Sequence, residues 1–442
     1  MDPEQLAAVI MLTILLFMVI GGVHLAFALM FLSVVFGLIY QGASIFPMSM
    51  LKIFGVMQGE ILIAVPLFVF MGTILEKSGV AEGVYQSLYE LFGPVRGGLA
   101  FATVVTCTIF ASCTGVIAAT VTTMTLLAVP AMLKRNYDKG LATGVVCAGG
   151  SLGILIPPSV MLVMYGPMAN LSVAKLFAAA LFPGLLLSFL YLASIGIRCW
   201  LQPASAPAIS AEERTASGGK LLRRTMLQML PPFFLIAAVL GTIIGGIASP
   251  TEASGVGALC AMLVAAAYGR LNFQNIRDAA RTTLIVTVMV FYIIIAASVF
   301  NAVFLYLGGG ALIREVLIAL PLGKWFILAT MMFILFILGF FISWQGLLYV
   351  IVPIFLPVAK ELGFDPLWFA LLVCLNLQMS FLTPPFAYAI FFVKGASPPQ
   401  ITTWDIYRGV IPFVALQAFG VILCILFPEI ILWLPRVTLG GG

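Results

Sequence analysis

Two short polar motifs interrupt long apolar stretches of the chain, and both have the pattern Ser-x-x-Gly. They are Ser112-Cys113-Thr114-Gly115 and Ser343-Trp344-Gln345-Gly346. Each is followed, after a further apolar stretch, by a Pro-Pro pair that removes two backbone donors. An interrupted helix exposes free carbonyls and hydroxyls, which are ligands for a hard cation such as Na⁺, and free amides, which bind anions. The pattern therefore indicates an ion and anion site that needs no charged side chain.

The predicted binding residues lie in the two motifs, around the two Pro-Pro pairs and just before the second pair. They are Ser112, Cys113, Thr114, Gly115, Gly150, Ser151, Gly153, Pro157, Pro158, Ser159, Ser343, Trp344, Gln345, Gly346, Gln378, Thr383, Pro384 and Pro385. The predicted Na⁺ ligands are the hydroxyls of Ser112, Thr114, Ser151, Ser343 and Thr383. Taken singly, such residues in membrane helices are more often packing residues and kinks. Their paired occurrence, one motif and one Pro-Pro pair in each half, favours a transport site.

Enzyme chemistry finds no support in the sequence. It contains no His-Glu-x-x-His motif, no Gly-x-Ser-x-Gly motif and no Walker loop. The single histidine, His24, follows Gly21-Gly22 at a predicted cytoplasmic helix end and is a poor candidate for a proton relay. The seven cysteines are scattered singly through apolar stretches, which is typical of core residues. We expect a protein that is not an enzyme, has no cofactor beyond Na⁺ as coupling ion, and does not use ATP by itself.

The candidate residues must be positioned by helices that cross a lipid bilayer. Of the 442 residues, 63% are hydrophobic and only 8% are charged, whereas an average soluble domain has about 25% charged residues. The long unbroken apolar runs lack the alternation of a membrane barrel. The net charge of +5 comes from a few clusters, which argues against a nucleic-acid partner. The sequence predicts an all-α polytopic membrane protein in contact with lipid.

Four of the apolar segments are interrupted in the middle. Segments 98–130 and 323–359 contain the Ser-x-x-Gly motifs, which predicts two re-entrant hairpins. In the first, each arm of about 15 residues spans about 22 Å, less than a hydrocarbon core of about 30 Å. Segments 140–167 and 366–395 contain the Pro-Pro pairs and are predicted to be broken helices. Irregular backbone at this depth must be buried in protein or line a wet cavity, so we expect tips and breaks to meet.

The order of these parts occurs twice along the chain. Each half has two spans, an amphipathic stretch (45–59 or 271–281), a third span, an interfacial helix, a hairpin, a broken helix and a last span. This predicts a first repeat at 1–200, a polar cytoplasmic loop at 201–227 and a second repeat at 228–442. An odd number of crossings per repeat inverts the second repeat, as in secondary transporters. Placing the N-terminus outside leaves most Lys and Arg residues on the cytoplasmic side.

The hairpins and broken helices are expected to form one moving transport unit. The spans at 6–75 and 229–307 would form a frame around it. The interfacial helices at 79–96 and 309–320 would be flexible arms between the two.

Several longer motifs resemble the large membrane subunit of tripartite ATP-independent periplasmic (TRAP) transporters. They are residues 112–115, 149–159 (GGSLGILIPPS), 249–253 (SPTEA), 362–366 (LGFDP) and 376–386 (NLQMSFLTPPF). The resemblance implies a Na⁺-driven, elevator-type importer in the bacterial inner membrane, so the N-terminus, which the charge distribution places outside, is expected in the periplasm. It also implies two partners, a periplasmic substrate-binding protein and a small four-helix membrane subunit on a separate chain. By the same resemblance, the tips and Pro-Pro breaks carry two Na⁺ sites flanking the substrate.

Substrates of this family are mostly carboxylates, including dicarboxylates, 2-oxo acids and sialic acid, and no residue here selects among these small organic anions. The second tip often carries an acidic residue in this family, whereas here it is neutral, which leaves the number of Na⁺ ions open. Two other interpretations remain. One is a self-sufficient Na⁺/dicarboxylate-type symporter that needs no binding protein, and the other is a membrane scaffold without transport activity.

Overall fold

The computed structural model describes residues 2–115, 117–208, 219–319, 323–384 and 387–440, and these ranges contain helices but no strand. The all-α fold predicted from the sequence is confirmed. The helices of the first half are α1 (Pro3–Ile20), α2 (Leu25–Gln41), α3 (Ile45–Met57), α4 (Ala64–Lys77), α5 (Val80–Phe92), α6 (Gly98–Thr114), α7 (Ile117–Leu133), α8 (Lys139–Ser151), α9 (Val160–Ala169) and α10 (Val173–Leu201). Those of the second half are α11 (Gly219–Ile244), α12 (Pro250–Ala267), α13 (Phe273–Tyr306), α14 (Gly309–Ile318), α15 (Lys324–Leu338), α16 (Trp344–Val350), α17 (Val352–Glu361), α18 (Pro366–Ser380), α19 (Tyr388–Ala396), α20 (Thr403–Leu426) and α21 (Glu429–Leu439).

The described helices fall into two length classes. Seven are long and apolar enough to cross a bilayer, or eight crossings if the pair Glu60–Lys77 and Val80–Phe92, bent by 57°, counts as one span. The shorter apolar helices, of 10–17 residues, belong to the interrupted segments. Helices of that length cannot each cross a hydrocarbon core of about 30 Å alone. The protein is therefore built as a multi-pass membrane protein with paired short helices among its long spans.

Corresponding helices of the two halves begin at the same kind of capping residue. The carboxylate of Asp138 accepts a hydrogen bond from the Leu141 amide at the start of α8, and Asp365 does the same for the Leu367 amide at the start of α18. A hydroxyl caps each last span, Ser172 for α10 and Thr402 for α20. Such side chains satisfy amides that the first helical turn leaves free. The same kinds of capping side chain therefore begin corresponding helices in both halves.

The long helices of the frame pack mainly on helices of the opposite half. Helix α4 packs on α12, and α13 packs on α2. Because α2 and α12 hold the same place in their halves, as do α4 and α13, this exchange is the one expected for repeats related by a two-fold axis. The halves differ at the amphipathic stretch, since residues 271–281 do not form a separate element but lie largely within the 34-residue α13. No Gly or Pro interrupts α13, whereas the chain turns at Gly59 between α3 and α4.

The short helices form a second group, and each arm helix contacts both groups. The last spans α10 and α20 pack on each other and on α8, so they join the hairpins and broken helices. Arm α5 packs on α11, and its Tyr89 accepts a hydrogen bond of 3.0 Å from Arg135 at the base of the first hairpin. Arm α14 packs on α13, and its Arg314 forms two hydrogen bonds of 2.5 and 2.7 Å with Glu361 at the base of the second hairpin. Each arm is thus tied to its own hairpin.

Candidate functional site

The tip of the first hairpin lies against the first helix break. Helix α6 ends at Thr114, and Gly115 has a φ of +60°, a left-handed conformation that favours glycine. A Cβ atom added to Gly115 would lie 3.1 Å from the carbonyl oxygen of Pro158. A Cβ atom on Gly153 would lie 3.6 Å from Ala111 of α6, and one on Gly150 would lie 2.3 Å from Val121 of α7. These glycines let the break between Ser151 and Ser159, with its Pro157-Pro158 pair, sit close to the hairpin.

The hydroxyls of this first region are buried and donate to the backbone. Ser112 donates to the Thr108 carbonyl at 2.9 Å, Thr114 donates to the Phe110 carbonyl at 3.0 Å, and Ser159 donates to the Ile154 carbonyl. A hydroxyl has one proton and two lone pairs, so a hydroxyl that donates can still accept or ligate a cation. The side chain of Cys113 is directed towards α11, since its Sγ lies 3.7 Å from the carbonyl oxygen of Pro232.

Ser151 joins the two halves through a fully buried cluster. Its hydroxyl donates to the Ala148 carbonyl at 2.8 Å and accepts from the amides of Gln378 at 3.2 Å and Gln417 at 3.3 Å. These three bonds use the whole capacity of one hydroxyl, so Ser151 could ligate Na⁺ only if one amide moved away. The Oε1 atoms of Gln378 and Gln417 and the hydroxyl of Tyr191 have no hydrogen-bond partner among the described residues. The predicted residues do not include Gln417, although a lone glutamine within the apolar run of α20 is a signal for such interhelical bonding.

The tip of the second hairpin lies earlier in the chain than the Ser-x-x-Gly motif predicts. Helix α15 ends at Leu338 and α16 begins at Trp344, so the irregular backbone is at 339–343 and not at 343–346. Trp344, Gln345 and Gly346 belong to the first turn of α16, and Ser343 holds its N-cap position. The physical reason is that serine before an apolar run starts a helix more readily than it ends one. Gly346 is helical, and a Cβ atom there would lie 2.1 Å from Leu25 Cδ2, so this glycine is required by close packing on α2.

The second tip also lies against its helix break. Helix α18 ends at Ser380 and α19 begins at Tyr388, and a Cβ atom on Gly339 would lie 2.5 Å from the Ser380 Cβ. Thr383 donates to the Met379 carbonyl at 2.8 Å, and the buried hydroxyl oxygen of Ser343 has no partner among the described residues. Pro384 is exposed in the turn, and its neighbour Pro385 lies outside the described residues.

A cavity of about 190 Å³ opens between the second tip, the second break and the frame. Ser343 and Gln345 line it from the hairpin, Ser380 from the break, and His24 from the start of α2. Within the described ranges, no group of three or more His, Cys, Asp or Glu side chains is placed to hold a metal ion.

Comparison with known proteins agrees with this architecture. The sequence profile of the family described as "Tripartite ATP-independent periplasmic transporter, DctM component" matches residues 11–430. The chain belongs to this family. The resemblance predicted from the sequence motifs is thereby confirmed, and the protein is a TRAP transporter large permease subunit, a multi-pass membrane protein whose relatives are transporters.

Three relatives show the range of the family. The C4-dicarboxylate TRAP transporter large permease protein of Vibrio cholerae is 27% identical over 98% of this chain and 99% of that protein. The sialic acid TRAP transporter large permease protein of the same organism is 28% identical over 96% and 97%. The ectoine/5-hydroxyectoine TRAP transporter large permease protein of Ruegeria pomeroyi is 30% identical over 84% and 85%. The crystal structure of the Alcanivorax borkumensis YdaH transporter has the same fold, with a TM-score of 0.64, 14% identity, and coverage of 96% of this chain and 98% of that one.

Proposed function

We propose that this TRAP large permease subunit is a Na⁺-coupled secondary importer of a small organic anion. The observation that carries the proposal is the pairing of each hairpin tip with a helix break, Gly115 with Pro158 and Gly339 with Ser380. Both pairs place hydroxyls beside irregular backbone. The hydroxyls proposed to bind Na⁺ are those of Ser112, Thr114, Ser343 and Thr383, together with Ser151 if one of its amides moves away.

The transported anion is proposed to be a carboxylate such as a dicarboxylate, a 2-oxo acid or a sugar acid. Two of the three relatives above are named for C4-dicarboxylate and sialic acid, which supports this class without selecting one member. Membership of a tripartite family supports two partners, a periplasmic binding protein that delivers the anion and a small four-helix membrane subunit. The excess of Lys and Arg in alternate loops supports a bacterial inner-membrane location with a periplasmic N-terminus.

The test is uptake into proteoliposomes that contain this chain and its small subunit, with substrate-loaded binding protein outside. We expect uptake to require an inward Na⁺ gradient. An interior-negative potential should accelerate it, because each net positive charge that enters gains about 2.3 kcal/mol per 100 mV. A Ser112→Ala, Thr114→Val variant should need a higher Na⁺ concentration for half-maximal uptake, because two proposed Na⁺ ligands are lost. Ser44→Ala, at an exposed turn between α2 and α3, should behave as wild type.

Two outcomes would contradict the proposal. Uptake that continues with choline in place of Na⁺ and follows the pH gradient would exclude Na⁺ coupling. Uptake at the full rate by this chain alone, without binding protein or small subunit, would favour the self-sufficient symporter instead.

A further inference from the structure

The cavity at the second tip is lined by one side chain that can be positively charged, by several neutral polar side chains and by no acidic one among the described residues. Of the described residues that line it, His24 is the only one whose side chain can carry a positive charge, and none is Asp or Glu. The other polar side chains are the hydroxyls of Ser343, Ser380 and Tyr388 and the amide of Gln345. The remaining lining is apolar or glycine. The cavity therefore offers hydrogen-bond donors to an anionic group and no fixed negative charge to repel it.

The frame brings His24 directly against the hairpin. Leu25, the next residue along the chain, lies so close to Gly346 that a Cβ atom there would be 2.1 Å from the leucine side chain. Gln345 and Ser343 precede Gly346 in the same hairpin, and both line one cavity together with His24, which is exposed at the start of α2. The ring of His24 is further positioned by an edge contact with Phe27, with 6.0 Å between the ring centroids.

The cavity contains a buried polar side chain without a partner among the described residues. The Ser343 hydroxyl is buried without a hydrogen bond among the described residues. Gln345, which lines the same cavity, is only 7% exposed. A buried hydroxyl without a partner is unfavourable, so a ligand that forms a hydrogen bond with Ser343 is expected in this cavity. A carboxylate has two oxygen atoms that accept several hydrogen bonds at once.

The volume of the cavity limits the size of the ligand. A space of about 190 Å³ corresponds to about six water molecules at the density of the liquid. This holds a carboxylic acid of about three to six carbon atoms, whereas part of a nine-carbon sugar acid would extend outside it.

We propose that His24 is a ligand-contacting residue of the frame, which donates a hydrogen bond to the carboxylate of a small organic acid held in this cavity. The inference rests on the proposed function, because it names a further contact and a size class for the same transport site. The contact belongs to the arrangement in which α2 lies against the second tip. It adds a residue to the site that the two motifs and the Pro-Pro pairs do not contain.

The test is binding to the purified full-length chain in detergent, measured by calorimetry and by thermal unfolding in NaCl and in choline chloride. The probes are pyruvate, succinate, 2-oxoglutarate and citrate, with N-acetylneuraminate as the large acid. At least one of the four small acids should bind in NaCl. Its affinity should fall about 10- to 100-fold in His24→Leu, because a hydrogen bond to a charged group is lost. It should stay within about threefold of wild type in His24→Gln, which keeps an N–H donor.

Controls separate this contact from the fold and from Na⁺ coupling. Thr13→Val, at an exposed frame position on α1 away from the cavity, should bind as wild type. Each variant should keep the thermal shift produced by Na⁺ alone, and His24→Glu, which adds a negative charge, should bind less well than His24→Gln if His24→Leu does not fold.

Three results would overturn the inference. They are wild-type affinity in both His24→Leu and His24→Glu, binding of N-acetylneuraminate as tight as that of the small acids, and no binding of any of the four small acids. Acid binding that depends on His24 but is equal in NaCl and choline chloride would instead contradict the proposed Na⁺ coupling and leave the contact standing.

Discussion

At the residue scale, the glycines that end the two Ser-x-x-Gly motifs have different physical roles. Gly115 has a left-handed backbone at the first tip, whereas Gly346 is helical and makes room for Leu25. A non-glycine residue in a left-handed conformation costs about 1–3 kcal/mol wherever its neighbours lie. A steric conflict with a side chain can instead be relieved by shortening that side chain.

These roles predict different outcomes for the same substitution. We expect Gly115→Ala to reduce Na⁺-dependent uptake at least about tenfold, and no single neighbouring substitution should restore it. Gly346→Ala should also be defective, but Gly346→Ala with Leu25→Ala should recover part of the uptake, because only the Ile342 side chain, with its Cγ2 at 2.8 Å from the added Cβ, then remains to be displaced. Uptake and melting temperature of the single and double variants provide the measurement. Normal uptake by Gly115→Ala would show that the tip does not need its left-handed turn.

Ser151 permits a second test, which separates a structural clamp from an ion ligand. Its hydroxyl bonds two buried amides, so Ser151→Ala should lower the free energy of unfolding by about 1–3 kcal/mol. Because its lone pairs are already used, the Na⁺ concentration for half-maximal uptake should change less than about threefold. Ser112→Ala should show the reverse, a raised Na⁺ requirement with little loss of stability. Equal effects of both substitutions on Na⁺ dependence would place Ser151 among the ion ligands.

Residue types and spacing could predict the first tip but only part of the second. Gly115 is at the end of a helix, as a glycine after an apolar run predicts, and the Pro157-Pro158 pair lies at a break. The position of the second tip depends on the contact between Gly339 and Ser380, which is a tertiary contact between segments far apart in the sequence. The same holds for His24 and Gln417, because only the packing of α2 and α20 shows what their side chains face.

At the element scale, the crossing of α8 and α20 holds the second group of helices together. Gly140 and Gly144, four residues apart on α8, face Gly409 on α20. A Cβ atom on Gly409 would lie 2.1 Å from the Gly140 carbonyl oxygen, and one on Gly144 would lie 2.3 Å from the Gly409 carbonyl oxygen. Small residues at this spacing let helix backbones approach closely within a membrane. The crossing links the first broken helix to the last span of the opposite half.

We therefore expect Gly409→Ala to destabilise the protein, because backbone atoms cannot yield as a side chain can. The loss should be about 1–3 kcal/mol, seen as a lower melting temperature in detergent and faster proteolysis. Gly255→Ala is the matched control, since Gly255 lies in the interior of α12 with nothing within 4 Å of its added Cβ. That control should be neutral or slightly stabilising. Similar melting temperatures for both variants would mean that α8 and α20 do not touch at their glycines.

At the scale of the whole molecule, both hairpin tips lie against the frame through glycine contacts. A Cβ atom on Gly72 of α4 would lie 2.5 Å from the Thr114 carbonyl oxygen, and Gly346 lies against Leu25 of α2. Close contacts without large interlocking side chains permit sliding of one packed group past another. The arms α5 and α14, each tied to its own hairpin, would follow such a movement. We propose that the two groups of helices act as the moving unit and the frame of an elevator mechanism, with the two arms as connectors.

The last prediction concerns which parts of the molecule change sides. All seven native cysteines are buried, so their replacement gives a background for single cysteines at Ser112, Ser343 and the exposed frame position Ser44. Ser343 lines the cavity that His24 also lines. The distribution of Lys and Arg predicts that this end of α2 faces the cytoplasm, so we expect an impermeant thiol reagent to reach Ser343 first from that side. Sodium and substrate should shift labelling of both tips towards the periplasmic side, whereas Ser44 should keep one sidedness in right-side-out and inside-out vesicles. If the tips keep a fixed sidedness under every condition, the transport unit does not travel, and a rocking movement of the frame around a stationary site must replace the elevator.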